Sequence, residues 1–184
     1  MEENLRVTLL DDDLSIPKHQ FYFTPLDEIV HVANDFLVDV ICIVICVDPC
    51  TIIRRFNEIE VLRRSIQLVD LSSSTINVTL WGPTTQKEGS QLQEMYHLHQ
   101  VVVLAIKTGK ATEYNGKVIS TLGSTQLFIN PDIEEATQLR IWFDHNGKDI
   151  LSSSTHIVDV PLQIRRKIII ETKGETMNVS QPFL

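Results

Sequence analysis

The sequence predicts a mainly β domain: a five-stranded Greek-key barrel with a helix between strands 3 and 4 and a C-terminal helix. Two observations predict it. Strand-length runs come three in a row, then two more after a helical interval, before a last segment with helical spacing. Turn residues mark the junctions, at Asp48-Pro49, Leu71-Ser72-Ser73-Ser74, Gly82-Pro83, Tyr114-Asn115-Gly116 and Asn130-Pro131.

Taken in order, residues 1–20 are polar and acidic around Asp11-Asp12-Asp13 and read as a solvated linker, with a divalent-cation site as the alternative. Phe21-Tyr22-Phe23 alternates like a short edge strand. Thr24 reads as a cap, Pro25 as the first helical residue and Leu26 to Ile29 as a brief helix. Leu37 to Val47 is rich in β-branched residues and continues past Asp48-Pro49 through Thr51 to Arg55, as one long, bent strand. Phe56 to Leu62 reads as a connecting loop. From Arg63 to Asp70 the chain alternates, Ile66 and Leu68 facing one way and Ser65, Gln67 and Val69 the other. Thr75 to Trp81 alternates again.

After Gly82-Pro83, Thr84 to Tyr96 reads as a helix with Leu92, Met95 and Tyr96 on its apolar stripe. His97 and His99 follow; two apart, they share no helical face, so a loop suits them better than a metal pair. Val101 to Lys107 is a buried strand, Lys117 to Leu122 follows the Tyr114-Asn115-Gly116 turn, and Gln126 to Ile129 is a last apolar run. A final helix starts near Asp132, its first-turn acids favoured by the macrodipole. Ile133, Ala136, Leu139 and Phe143 keep helical spacing, Trp142 reads as core or interface, and His145-Asn146-Gly147 ends the element. Three strands, a helix, two strands and a closing helix is the order of the OB-fold.

At 184 residues and 43% hydrophobic content the chain can bury one core with appendages. Its longest apolar run, Val38 to Val47, is broken by Asp39 and falls short of the roughly 18 residues a membrane helix needs. The start, Met-Glu-Glu-Asn, lacks the basic and apolar parts of a secretory signal, so a soluble intracellular protein is expected. Asn77 and Asn178 head Asn-x-Ser/Thr triplets that are then chance matches. Cys42, Cys46 and Cys50 are four apart, a spacing without the Cys-x2-Cys pairs of a zinc site. Cys42 and Cys46 share parity on a strand, so both are expected to face the core. No Gly-rich phosphate loop, Gly-x-Ser-x-Gly elbow or His-Glu-x-x-His is present, which argues against an enzyme.

The formal net charge is −8, but it is unevenly spread. Residues 1–50 carry ten acidic and two basic side chains, whereas residues 51–120 carry six acidic and eight basic ones. Within that basic centre, Trp81 and Tyr114 each sit at a strand end, among Arg54, Arg55, Arg63, Arg64, Lys107, Lys110 and Lys117. Flat rings among cations suit a groove that stacks unpaired bases and tracks their phosphates. The rival reading is an OB-fold protein-interaction module that has lost most DNA affinity, favoured by the acidic ends.

Several segments resemble the second DNA-binding OB domain of the replication protein A large subunit. They are Leu37 to Ile41, Arg63 to Asp70, Val78 to Gly82, Val103 to Lys107, Glu113 to Ser120 and Asn130 to Ala136, with Leu139-Arg140, Trp142-Phe143-Asp144 and Gly147. The match covers roughly Phe21 to Lys148, so the domain is placed at 21–148, with 149–184 a linker and tail holding a strand at Arg165 to Thr172. The region around Gly89 to Met95 looks more like the plant members.

The resemblance implies that Trp81 and Tyr114 stack bases, the family usually having Phe at the second position. It implies that Arg55, Arg63, Arg64 and Lys110 contact the backbone and that Thr79 lines the same groove; Lys107 and Lys117 join them from the basic cluster. Thr51 and Ile59 stand where other members carry basic residues. Single-stranded DNA, or RNA by the same chemistry, is the implied partner, with other replication protein A subunits or repair proteins. The implied setting is replication, repair and recombination in the nucleus; no cofactor, metal or membrane is implied.

Overall fold

In the computed structural model the described residues are 20–54 and 59–153. Eleven elements appear there in the order α1 (Leu26–Ile29), β1 (Leu37–Val47), β2 (Thr51–Arg54), β3 (Glu60–Val69), β4 (Thr75–Trp81), α2 (Pro83–Gln86), α3 (Glu88–His97), β5 (Val103–Glu113), β6 (Lys117–Ser120), β7 (Gln126–Ile129) and α4 (Glu134–Ser153). Strands β1-β3-β4-β6-β5 are neighbours in that order, and β5 returns to pair with β1, closing a five-stranded barrel. The β4–β6 pair is parallel and the others antiparallel. Short β2 lies on β3, and β7 on the far part of β5. This is the OB-fold, as expected.

Alternation builds two cores. Val40, Cys42, Ile66, Leu68, Val78, Leu80, Leu104, Ile106 and Ile119 fill the barrel, joined by Leu26 and Ile29 of α1 and Leu92 of α3. On the other side of the same strands, Ile43, Ile45, Val69 and Val103 pack against Ala136, Leu139 and Ile150 of α4, with Trp142 and Phe143 partly buried beside them. Each fully buried aliphatic contributes about 1.5–3 kcal/mol. α1 is fixed by Asp70, whose Oδ2 accepts the Leu26 N–H at 2.7 Å while Oδ1 accepts from Ser72 N and Oγ.

The differences from expectation have local causes. The β1–β3 register shifts between Val44 and Cys46, so parity breaks there. Cys42 is buried, but Cys46 is only half-buried, with Sγ 3.8 Å from Asp48 Oδ1. The helix after Gly82 is two pieces, divided at Lys87, where ψ is −82°. Pro25, rather than Thr24, takes the cap position of α1, and the side chain serving that end is Asp70. β5 runs on to Glu113, and β3 begins at Glu60, inside the expected loop. α4 passes through Gly147 to Ser153, taking in the first two serines of the expected linker. Gly147 is not a cap: a Cβ there would stand 3.0 Å from the Phe143 ring, so the helix uses the missing side chain for packing. The Asp11-Asp12-Asp13 run and the strand expected at Arg165 to Thr172 lie outside the described residues.

Candidate nucleic-acid interface

One outward face of the barrel is continuous across β3, β4, β6 and β5. Cross-strand pairs Arg63–Trp81, Ser65–Thr79 and Gln67–Asn77 join β3 to β4. Asn77–Val118 and Thr79–Ser120 join β4 to β6, and Thr112–Val118 joins β5 to β6. Residues of one parity therefore form a single surface. It is hollowed into a groove of about 640 Å³ lined by Arg63, Ser65, Asn77, Thr79, Trp81 and Thr112, and by Glu113, Tyr114, Lys117 and Ser120 along its hairpin side.

Both aromatics reach this groove. Trp81 ends β4, where its N–H donates to Thr121 Oγ1 at 3.0 Å and Gly82 turns the chain with φ +61°. That backbone bond anchors the strand end, and Trp81 is half-buried there. Tyr114 heads the β5–β6 turn; Asn115 and Gly116 supply its positive φ values of 53° and 110°, and Tyr114 N–H donates to Gly116 O at 2.8 Å. The residue is 73% exposed, its ring carried on a tight hairpin. Ser65, Thr79 and Ser120 contribute small polar side chains to the lining, with Thr79 only 8% exposed.

The cations divide. Arg63 lines the groove and belongs to no ion pair among the described residues. Lys117 lines it too, its Nζ donating to Asn34 Oδ1 at 2.8 Å and standing 4.0 Å from Glu113 Oε2. Lys110, one pair along β6 at Ser120, is outside the lining and bound to Asp35 at 2.6 Å. Lys107 donates to Gln20 O and sits 5.5 Å from the Phe21 ring, away from the groove. Arg54 is paired with Glu60 at 2.9 Å.

Arg64 departs most from expectation. It has the parity of Ile66 and Leu68, is 3% exposed, and donates through Nη1 to Gln93 Oε1 of α3 at 2.6 Å. A backbone-contact role does not fit that position. Arg55 lies outside the described residues.

Thus Trp81, Tyr114, Arg63, Thr79 and Lys117 come together, and Arg64, Lys107 and Lys110 do not. The lining residues not singled out as site residues from the sequence include Ser65, Asn77, Thr112, Glu113 and Ser120. Parity with Arg63 and Trp81 identifies Ser65 and Asn77, once β3 and β4 are paired.

Comparison with known proteins agrees with this architecture. Residues 26–130 match the family model described as the replication protein A OB domain. The chain belongs to that family. Replication protein A relatives extend the likeness beyond the barrel. One from Oryza sativa subsp. japonica, named as a 70 kDa DNA-binding subunit of replication protein A, is 41% identical over 172 residues, 92% of this chain and 26% of the relative. Its namesake in Arabidopsis thaliana is 45% identical over 159 residues, 86% of this chain and 25% of the relative. The chain thus spans about a quarter of the length of these relatives. Among solved structures, a replication protein A heterotrimer bound to ssDNA matches with TM-score 0.65 and 28% identity, covering 75% of this chain and 31% of that one.

Proposed function

We propose that the groove binds single-stranded DNA. Two bases stack on Trp81 and Tyr114 while Arg63, Lys117 and nearby cations meet phosphates; the small polar floor leaves the bases room to lie flat. The observation that carries this reading is that both rings line one groove in which an arginine has no carboxylate partner among the described residues. Relatives named for DNA binding, and a likeness to a heterotrimer bound to ssDNA, support it. The same support favours a binding module over an enzyme. We extend the reading to a nuclear setting in DNA replication, repair and recombination, with other replication protein A subunits or repair proteins as partners.

Fluorescence anisotropy of labelled oligo-dT, an RNA oligomer and a duplex tests this. Trp81→Ala and Tyr114→Ala are each expected to weaken oligo-dT binding by about 1–3 kcal/mol, the worth of one stacked base. The salt dependence should be shallow, with a log–log slope of about −1.5 to −3, because few cations face the groove. Oligo-dT binding unchanged in the double variant would overturn the proposal and give the groove to the protein-interaction reading. Equal affinity for duplex would also count against it, since paired bases cannot stack on the rings.

A further inference from the structure

The loop between α1 and β1 lies against the hairpin that carries Tyr114. Asp35 N–H donates to Ala111 O at 2.7 Å and Ala111 N–H to Phe36 O at 2.8 Å, so the loop is fastened to β5 by its backbone. Thus held, it presents polar side chains to both hairpin lysines. Asp35 Oδ1 is 2.6 Å from Lys110 Nζ. Asn34 Oδ1 accepts from Lys117 Nζ at 2.8 Å, and Asn34 Nδ2 donates to Glu113 Oε2 at 3.5 Å. Glu113 in turn stands 4.0 Å from Lys117 and lines the groove itself.

We propose that Glu113 at the groove and Asp35, just beyond its lining at Lys110, act as built-in substitutes for phosphate. A nucleic-acid backbone that follows the hairpin out of the groove competes with Glu113 and Asn34 for Lys117 and with Asp35 for Lys110. This rests on the nucleic-acid reading of the groove and adds its regulation. A phosphate oxygen makes with an ammonium the charge-assisted contact that Asp35 makes with Lys110, and at Lys117 it competes with the Asn34 amide oxygen at 2.8 Å and the Glu113 charge at 4.0 Å. Entering nucleic acid therefore exchanges one ion pair for another on the hairpin side, and its net gain there is small. At Arg63 no carboxylate among the described residues has to be exchanged. A phosphate therefore gains more at Arg63 than at either hairpin lysine, and the two acids set the affinity below what the cation count implies.

Glu113→Gln and Asp35→Asn test this, because both keep the shape of the side chain and remove only its charge. Asn also tolerates the positive φ of 67° at position 35. Each variant should bind labelled oligo-dT about two- to fivefold more tightly at about 50 mM salt. Each should also steepen the log–log salt slope by about 0.7, one further phosphate contact on a single strand. Adding Lys117→Ala to Glu113→Gln should abolish that gain. Binding left unchanged or weakened by both charge removals, while Trp81→Ala still weakens it, overturns this inference alone. A wild-type chain that binds no oligonucleotide overturns the groove reading and the inference with it.

Discussion

Arg63 and Arg64 are adjacent in the chain and opposite in consequence, because a strand sends neighbours to opposite faces. Arg63→Ala should leave stability nearly unchanged and reduce the salt slope of oligonucleotide binding by about 0.7, one phosphate contact. Arg64→Ala should do the reverse. It removes the 2.6 Å bond to Gln93 and the stem that Gly89 packs against, at a cost of about 1–3 kcal/mol in urea unfolding. Cys42 gives a third residue-scale test. Burial, and secondarily the Asp70 charge, push its thiol well above the ordinary range. The folded state then holds that proton where the unfolded chain releases it, so the contribution is intact below about pH 8.5 and lost as pH rises above it. Cys42→Ala should flatten the alkaline fall in stability measured by denaturant midpoints, and Cys42 should resist thiol reagents until the chain unfolds.

At the scale of elements, what could be read beforehand was whatever depends only on near neighbours. β4 and β7 begin and end at the expected residues, since alternation and turn chemistry are local signals. Cys46 was illegible because a bulge is a property of two strands, not one. The end of α4 was illegible because Gly147 reads as a stop in isolation and as a packing site only once Phe143 lies against it. The groove was half legible: the aromatics announce themselves by type, whereas Ser65, Thr112 and Ser120 gain significance only from cross-strand register. Close packing between β5 and β6 gives a further prediction. A Cβ at Gly109 would come 2.7 Å from Ile119 Cγ2, so Gly109→Ala should destabilise by about 1–3 kcal/mol, read from thermal and urea unfolding.

At the scale of the whole molecule, β5 is the strand on which closure depends, pairing with β1, β6 and β7. Its central amides from Leu104 to Ile106 should exchange hydrogen only by global unfolding, which native-state exchange would reveal as the slowest class. Asp70 has a different standing. One carboxylate, at the foot of the β3–β4 turn, reaches 44 residues back along the chain to hold the start of a four-residue helix. Leu26 and Ile29 of that helix are sunk in the barrel interior. So brief a helix has little cohesion of its own. The domain therefore carries a stopper pinned at its own start by one side chain: remove that pin, and the bottle can be uncorked at one place while its walls still stand.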